Sequence, residues 1–105
     1  MSEKKIREII SFIKKFFKKN KIDKVVIFGS CVKGHFTADS DVDVAIVSRD
    51  FEKKDIFQRA KMLSGLNWAL VGQFMLPFDI VPISLEEWNK SSSLVVGFAR
   101  EGRSF

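Results

Sequence analysis

Residues 29 to 43, Gly-Ser-Cys-Val-Lys-Gly-His-Phe-Thr-Ala-Asp-Ser-Asp-Val-Asp, constrain this chain more than any other stretch. An apolar run, Val25-Val26-Ile27-Phe28, ends in Gly29-Ser30, and Ser40-Asp41-Val42-Asp43 leads into a second run, Val44-Ala45-Ile46-Val47. The two runs predict strands over 24–28 and 42–47, with space in the link for one helical turn after Gly29. Alternate side chains of a strand point the same way, so Asp41 and Asp43 project from one face. Two carboxylates beside a Gly-Ser turn at the mouth of a sheet make a poor core. They point to a metal–phosphate site.

The fixed positions of the pattern are Gly29, Ser30, Gly34, Ser40, Asp41 and Asp43. At average residue usage, a chance match is on the order of 10⁻⁷ per start position. Gly29 and Gly34 also have the glycine spacing of a Walker P-loop, which needs Lys and then Ser or Thr next. His35 and Phe36 follow instead, so no lysine reaches the terminal phosphates and no hydroxyl reaches a magnesium ion. The P-loop reading fails.

Around this stretch, Ile6, Ile9, Ile10, Ile13, Phe16 and Phe17 recur at the spacing of one helical face, which predicts a helix over 3–20 ending near Asn20. A longer helix is expected over about 53–72 and a third strand over 78–83. Asp79 sits in that strand between Phe78 and Ile80, an unusual place for a carboxylate without a metal or a paired cation. It could instead merely shape the strand start. Ser84-Leu85-Glu86-Glu87 reads as a capping box, and Ser91-Ser92-Ser93 as the cap of a last helix over 92–101 that stops at Gly102. The order describes a single α/β domain over residues 1–105, a small sheet flanked by helices.

Composition narrows the setting. The chain has 105 residues, 46% of them hydrophobic and 30% charged, as a globular domain does. The most apolar segment, 66–83, holds Asn67, Gln73, Asp79 and two prolines, so no membrane span is expected. One cysteine, Cys31, cannot make an internal disulfide, which suits a reducing cytoplasm. Residues 1–24 carry nine Lys/Arg against three acids, and the remainder nine against ten. The basic excess therefore lies on the first helix, as a solvated face or as a docking surface for an acidic partner or nucleic acid. No aromatic residues stand among its exposed lysines as stacking platforms, which disfavours base reading.

The pattern resembles the nucleotidyltransferase superfamily related to DNA polymerase beta, and within it the minimal nucleotidyltransferases that accompany HEPN-domain proteins. Gly29-Ser30 is similar to the family's G-S turn and Ser40-Asp41-Val42-Asp43 to its S-D-x-D, with Asp79 as the candidate third carboxylate. The likeness extends to Arg100-Glu101-Gly102. Lys33 stands where many relatives carry Arg, which keeps charge but loses the bidentate fork. The resemblance implies a nucleotidyltransferase fold with a mixed sheet, two Mg²⁺ ions held by Asp41, Asp43 and Asp79, and ATP as substrate. Gly29, Ser30, Lys33, Gly34 and Ser40 are the candidate nucleotide-phosphate residues. It further implies transfer of AMP to a tyrosine of a HEPN toxin, with this chain as antitoxin.

His35, Cys31 and Asp39 rank below these: a turn histidine, a thiol without a suitable base, and a turn residue. Beyond the nucleotide core the sequence offers no acceptor-binding domain, so the acceptor is expected on another protein. Leu66, Trp68, Leu70, Val71, Phe74, Met75 and Leu76 give more apolar surface than one helix side can bury, which leaves some for an interface. Three rival readings remain: a binding-only antitoxin with an idle site, a nucleic-acid-binding regulatory module using the basic helix, and modification of a small molecule such as an antibiotic, which the lack of an acceptor-binding segment in this sequence disfavours.

Overall fold

A computed structural model describes residues 1–17, 22–34, 36–37, 39–90 and 93–104. The helix expected over 3–20 ends earlier, at Phe16, where Phe17 leaves the helical conformation; Asn20 itself, the turn histidine His35, and Ser91 and Ser92 lie outside the described residues. Three strands, β1 (Lys24–Phe28), β2 (Val42–Ser48) and β3 (Phe78–Ser84), form one sheet in the order β1-β2-β3. β1 and β2 are antiparallel, as a short link between neighbours dictates, whereas β2 and β3 are parallel and need a crossover. The sheet is mixed, as expected.

Strand alternation sends Val25, Ile27, Val42, Val44 and Ile46 to one face of the sheet. There they meet α1 (Glu3–Phe16), whose buried Ile6, Ile9, Ile10 and Ile13 make the stripe read from the sequence. Ser2 starts that helix by accepting a hydrogen bond from the Lys5 amide at 3.1 Å. Val26, Phe28, Ala45, Val47 and Ile83 point to the other face, covered by Val96 and Ala99 of α6 (Leu94–Arg100) and by Leu85 and Trp88 of α5 (Leu85–Lys90). Both faces are therefore packed. Among the described residues, no helix is long and apolar enough to cross a membrane.

The crossover departs from expectation. In place of one helix over 53–72 there are two, α3 (Ile56–Met62) and α4 (Leu66–Phe74), separated at Gly65. Gly65 has φ +87°, a left-handed conformation that breaks the helical run and that glycine adopts without steric cost. The apolar pattern runs through the break because α4 is apolar on all sides. Leu66 and Leu70 are buried, while Trp68 is 88% and Met75 81% exposed. Residues 53–55 are outside the helix, and Asp55 opens α3 through a reciprocal capping box with Gln58. The last helix also differs in extent, running from Leu94 to Arg100 with Ser93 as its cap.

Candidate active site

The expected site residues come from three places in the fold. At the end of β1 the chain turns at Gly29, with φ +80° and ψ −149°. A Cβ there would strike the carboxylate of Asp43, so both conformation and space demand glycine. The Gly29 carbonyl accepts hydrogen bonds from the amides of Val32 and Lys33, each at 3.2 Å. These close the short helix α2 (Ser30–Lys33), the single turn anticipated after Gly29. Gly34 ends it at φ +82°, with open space around its Cα, so its role here is conformational.

Ser40 shapes the approach to β2. Its Oγ accepts from the Thr37 amide at 3.1 Å, and its own amide donates to the Thr37 carbonyl at 3.1 Å. The hydroxyl expected to face a phosphate is thus engaged in the turn that delivers Asp41.

Asp43 and Asp79 are register partners on adjacent parallel strands. Such partners share a face about 4.8 Å apart. Asp41, exposed and two residues before Asp43, projects to the same side. Asp43 is half-buried, and its carboxyl is pushed above the ordinary range, first by burial and then by the negative charges of Asp79 and Asp41. The charges of Asp79 and Asp41 therefore bear on Asp43 at a single end of the sheet. Phe28, the register partner of Asp43 on β1, completes the row.

Among the described residues, no group of three or more Asp, Glu, His or Cys side chains is gathered closely enough to hold a metal ion by itself. Open carboxylates suit magnesium, which keeps waters and takes substrate phosphates along with one or two protein carboxylates. The crowding of like charge around Asp43 is the condition a divalent cation would relieve. Carboxylate oxygen is the donor chemistry that ion takes, with substrate phosphates and water completing the set.

Lys33 forms an ion pair with Glu101, Nζ to Oε2 at 2.9 Å, with both side chains at least half exposed. The two residues lie 68 positions apart, so their pairing cannot be read from the sequence. The sequence clue was the Arg100-Glu101-Gly102 ending. Gly102 packs against β1 so closely that a Cβ would meet the Ile27 carbonyl and the side chains of Val26 and Phe28. Arg103 then pairs its backbone with Ile27, donating at 2.8 Å and accepting at 2.9 Å. The chain thus returns to the β1 edge directly before the Gly29 turn.

Cys31 is buried, donates its Sγ hydrogen to the Phe28 carbonyl at 3.1 Å, and has its thiol pKa pushed up by burial. That is the opposite of an activated nucleophile. Asp39 is an exposed turn residue, as read.

With this geometry in place, comparison with known proteins is informative. A protein-family model described as a nucleotidyltransferase domain matches residues 5–101. A candidate protein adenylyltransferase of Methanocaldococcus jannaschii is 32% identical over 93 residues, covering 81% of this chain and 87% of its own. A candidate nucleotidyltransferase structure from Sulfolobus solfataricus superimposes with a TM-score of 0.57 at 21% identity, over 97% of this chain and 77% of that one. A toxin–antitoxin structure solved with AMP-PNP gives a TM-score of 0.58 at 21% identity, over 99% of this chain and 72% of that one. At such identity the two structures speak for the fold, and the family model and the archaeal relative speak for the lineage. This chain belongs to the nucleotidyltransferase domain family and is a nucleotidyltransferase.

Proposed function

We propose that the chain transfers AMP from ATP to a hydroxyl group of a partner protein, a tyrosine of a HEPN toxin, in a magnesium-dependent reaction that silences the toxin in the cytoplasm. The observation that carries this reading is the in-register pair Asp43 and Asp79 with Asp41 alongside, next to a glycine turn that admits no side chain. Support for a protein acceptor comes from the archaeal relative, whose name is that of a protein adenylyltransferase. Support for a toxin partner comes from the shared fold with a toxin–antitoxin complex.

In the reaction the acceptor oxygen bonds to the α-phosphorus, the bond to the β-phosphate bridging oxygen breaks, and pyrophosphate leaves. Asp41 and Asp43 would hold the magnesium ions with Asp79, and the ions would neutralise charge on the attacking and leaving oxygens. Asp79 would receive the proton lost by the acceptor hydroxyl. The Gly29 turn lets the backbone approach the triphosphate closely, and Ser30 adds a hydroxyl donor there. Lys33 supplies a cation for the outer phosphates once it leaves or shares Glu101.

The test is incubation of the chain with a co-encoded HEPN protein, Mg²⁺ and each labelled nucleoside triphosphate, followed by intact-mass analysis of the partner. An increment of one or more AMP units is expected. No increment while the toxin is still neutralised would replace this reading with that of a binding-only antitoxin.

A further inference from the structure

The outer edge of β3 is the second feature of the site. The sheet order makes β3 an edge strand, and among the described residues no strand pairs with its outer side. Three hydrogen bonds fix which backbone groups face outward. The Val42 amide donates to Pro77 O at 2.9 Å, the ladder phase in which odd-numbered residues of β3 face β2. The Ser84 amide instead donates to the Glu87 carboxylate at 2.9 Å, and the Pro82 carbonyl accepts from Arg59 Nη1 at 3.4 Å. Even-numbered residues therefore point outward, and proline at 82 sits where no ladder donor is needed. Arg59 and Glu87 cover the far half of this edge. The near half is the backbone of Phe78 and Ile80, on either side of Asp79.

Along that near half runs a groove of about 410 Å³ between β3 and the crossover helices. Ile56, Ala60 and Leu63 give it an apolar wall and Asn67 a polar one, with Asp79 among its lining residues. Ile56 is 71% exposed, although it is a large aliphatic side chain at the start of a helix.

We propose that this edge is the acceptor site, and that its occupant is an extended segment of the partner protein added to the sheet as a fourth strand. The proposal rests on the adenylyl-transfer reading above and adds how the acceptor is held. Backbone groups of Phe78 and Ile80 bond the segment, as in other strand-addition complexes. Side chains of a strand alternate between faces. The residue level with Asp79 then lies on the carboxylate face about 4.8 Å away, the next position in the row Phe28, Asp43, Asp79. Its hydroxyl is delivered to Asp79. The residues immediately before and after it turn to the opposite face and enter the groove, so they are apolar. One segment thus presents a hydroxyl residue between two apolar neighbours, and the target is selected by backbone pairing.

The experiment uses the full chain and the HEPN protein of the preceding test. Ala60→Arg and Asn67→Arg fill the groove from exposed helix positions. Each is expected to raise the KM for the partner about tenfold and leave the Kd for ATP unchanged. Trp68→Ala, on the exposed side of α4 and outside the groove, is expected to change neither. With a non-hydrolysable ATP analogue present, partner binding is expected to slow amide exchange at Phe78 and Ile80. Unchanged partner KM in both arginine variants, a rise confined to Trp68→Ala, or no protection at 78 and 80 would each overturn the proposal. If the wild type modifies no partner at all, it is the adenylyl-transfer reading that fails, and the two failures are told apart.

Discussion

The two ends of the β2–β3 pair place polar residues opposite one another and treat them in opposite ways. At one end Asp43 stands level with Asp79; at the other, five residues along, Ser48 stands level with Ser84. Ser48 and Ser84 are buried to within a few per cent, and both are satisfied. Ser48 Oγ accepts from the Asp50 amide at 3.0 Å, and Ser84 Oγ accepts from the Glu87 amide at 3.1 Å. The serines turn the chain into its next helical element. Among the described residues the aspartates have no such partners to balance their charge, and after burial the charges of Asp79 and Asp41 raise the cost of ionising Asp43. One end is built for stability and the other keeps an electrostatic tension that a cation can relieve.

The largest effect should come from removing that tension. Under the proposed roles, Asp43→Asn lowers kcat by about 10² to 10³, the range seen when a preorganised electrostatic group is lost. Without metal, the same variant should fold as stably as wild type or slightly more so, by up to about 1 kcal/mol. The Asp43 carboxyl is held above its ordinary range, so the folded chain binds that proton more tightly than the unfolded chain. Its contribution to stability is present in full below the unfolded carboxylate range and is lost as pH rises through the folded value. Metal-free melting scans across pH should show that loss in wild type and not in Asp43→Asn. Strong destabilisation by the substitution at neutral pH would mean the carboxylate serves the fold instead.

The serine end should respond the other way. Ser84→Ala removes the acceptor for the Glu87 amide at the start of α5 and should cost about 1 kcal/mol, with kcat unchanged. Burial pushes Glu87 up, but the amide and hydroxyl of Ser84 and the guanidinium of Arg59 outweigh it, and the net shift is downward. A depressed carboxyl gives stability above the unfolded range and loses it as pH falls through the folded value. Glu87→Gln should therefore flatten the acid limb of the melting curve, where Asp43→Asn flattens the opposite one. The effect will be modest, because the Glu87 side chain is 51% exposed. Equal acid sensitivity of wild type and Glu87→Gln would separate that end from the pH response.

How much of this the sequence disclosed depends on distance along the chain. Gly29, Ser30, Asp41 and Asp43 lie within fifteen residues on an antiparallel pair, so spacing and alternation alone placed both aspartates on one face. Asp79 was legible as an anomaly, a carboxylate among strand residues, but its register opposite Asp43 is set by a crossover of some thirty residues. Ser64-Gly65 is a turn signal that was masked because Met62, Leu63 and Leu66 carry the hydrophobic pattern across the break. The Ser40 hydroxyl illustrates another limit. Motif position suggested a phosphate contact, whereas its local bond to Thr37 depends on turn geometry. Glu101 and the β3 groove arise only when remote elements meet, and no periodicity encodes that.

Glu101 gives the smallest test, at the aspartate end. Its pair with Lys33 is exposed on both sides, so its contribution to stability is at most a few tenths of a kcal/mol to about 1. The frame that holds it is firmer, since Gly102 is wedged against β1 and Arg103 pairs with Ile27. Glu101 therefore extends from an anchored backbone toward Lys33, and an incoming triphosphate would compete with its carboxylate for the same Nζ. Glu101→Gln should lower the KM for ATP by up to about threefold, leave kcat unchanged and hardly move Tm. The effect should vanish in a Lys33→Ala background. A rise in KM would assign Glu101 the reverse part, holding Lys33 where the phosphates need it. The aspartate end would then contain one ion pair built like the serine end, satisfied before any ligand arrives.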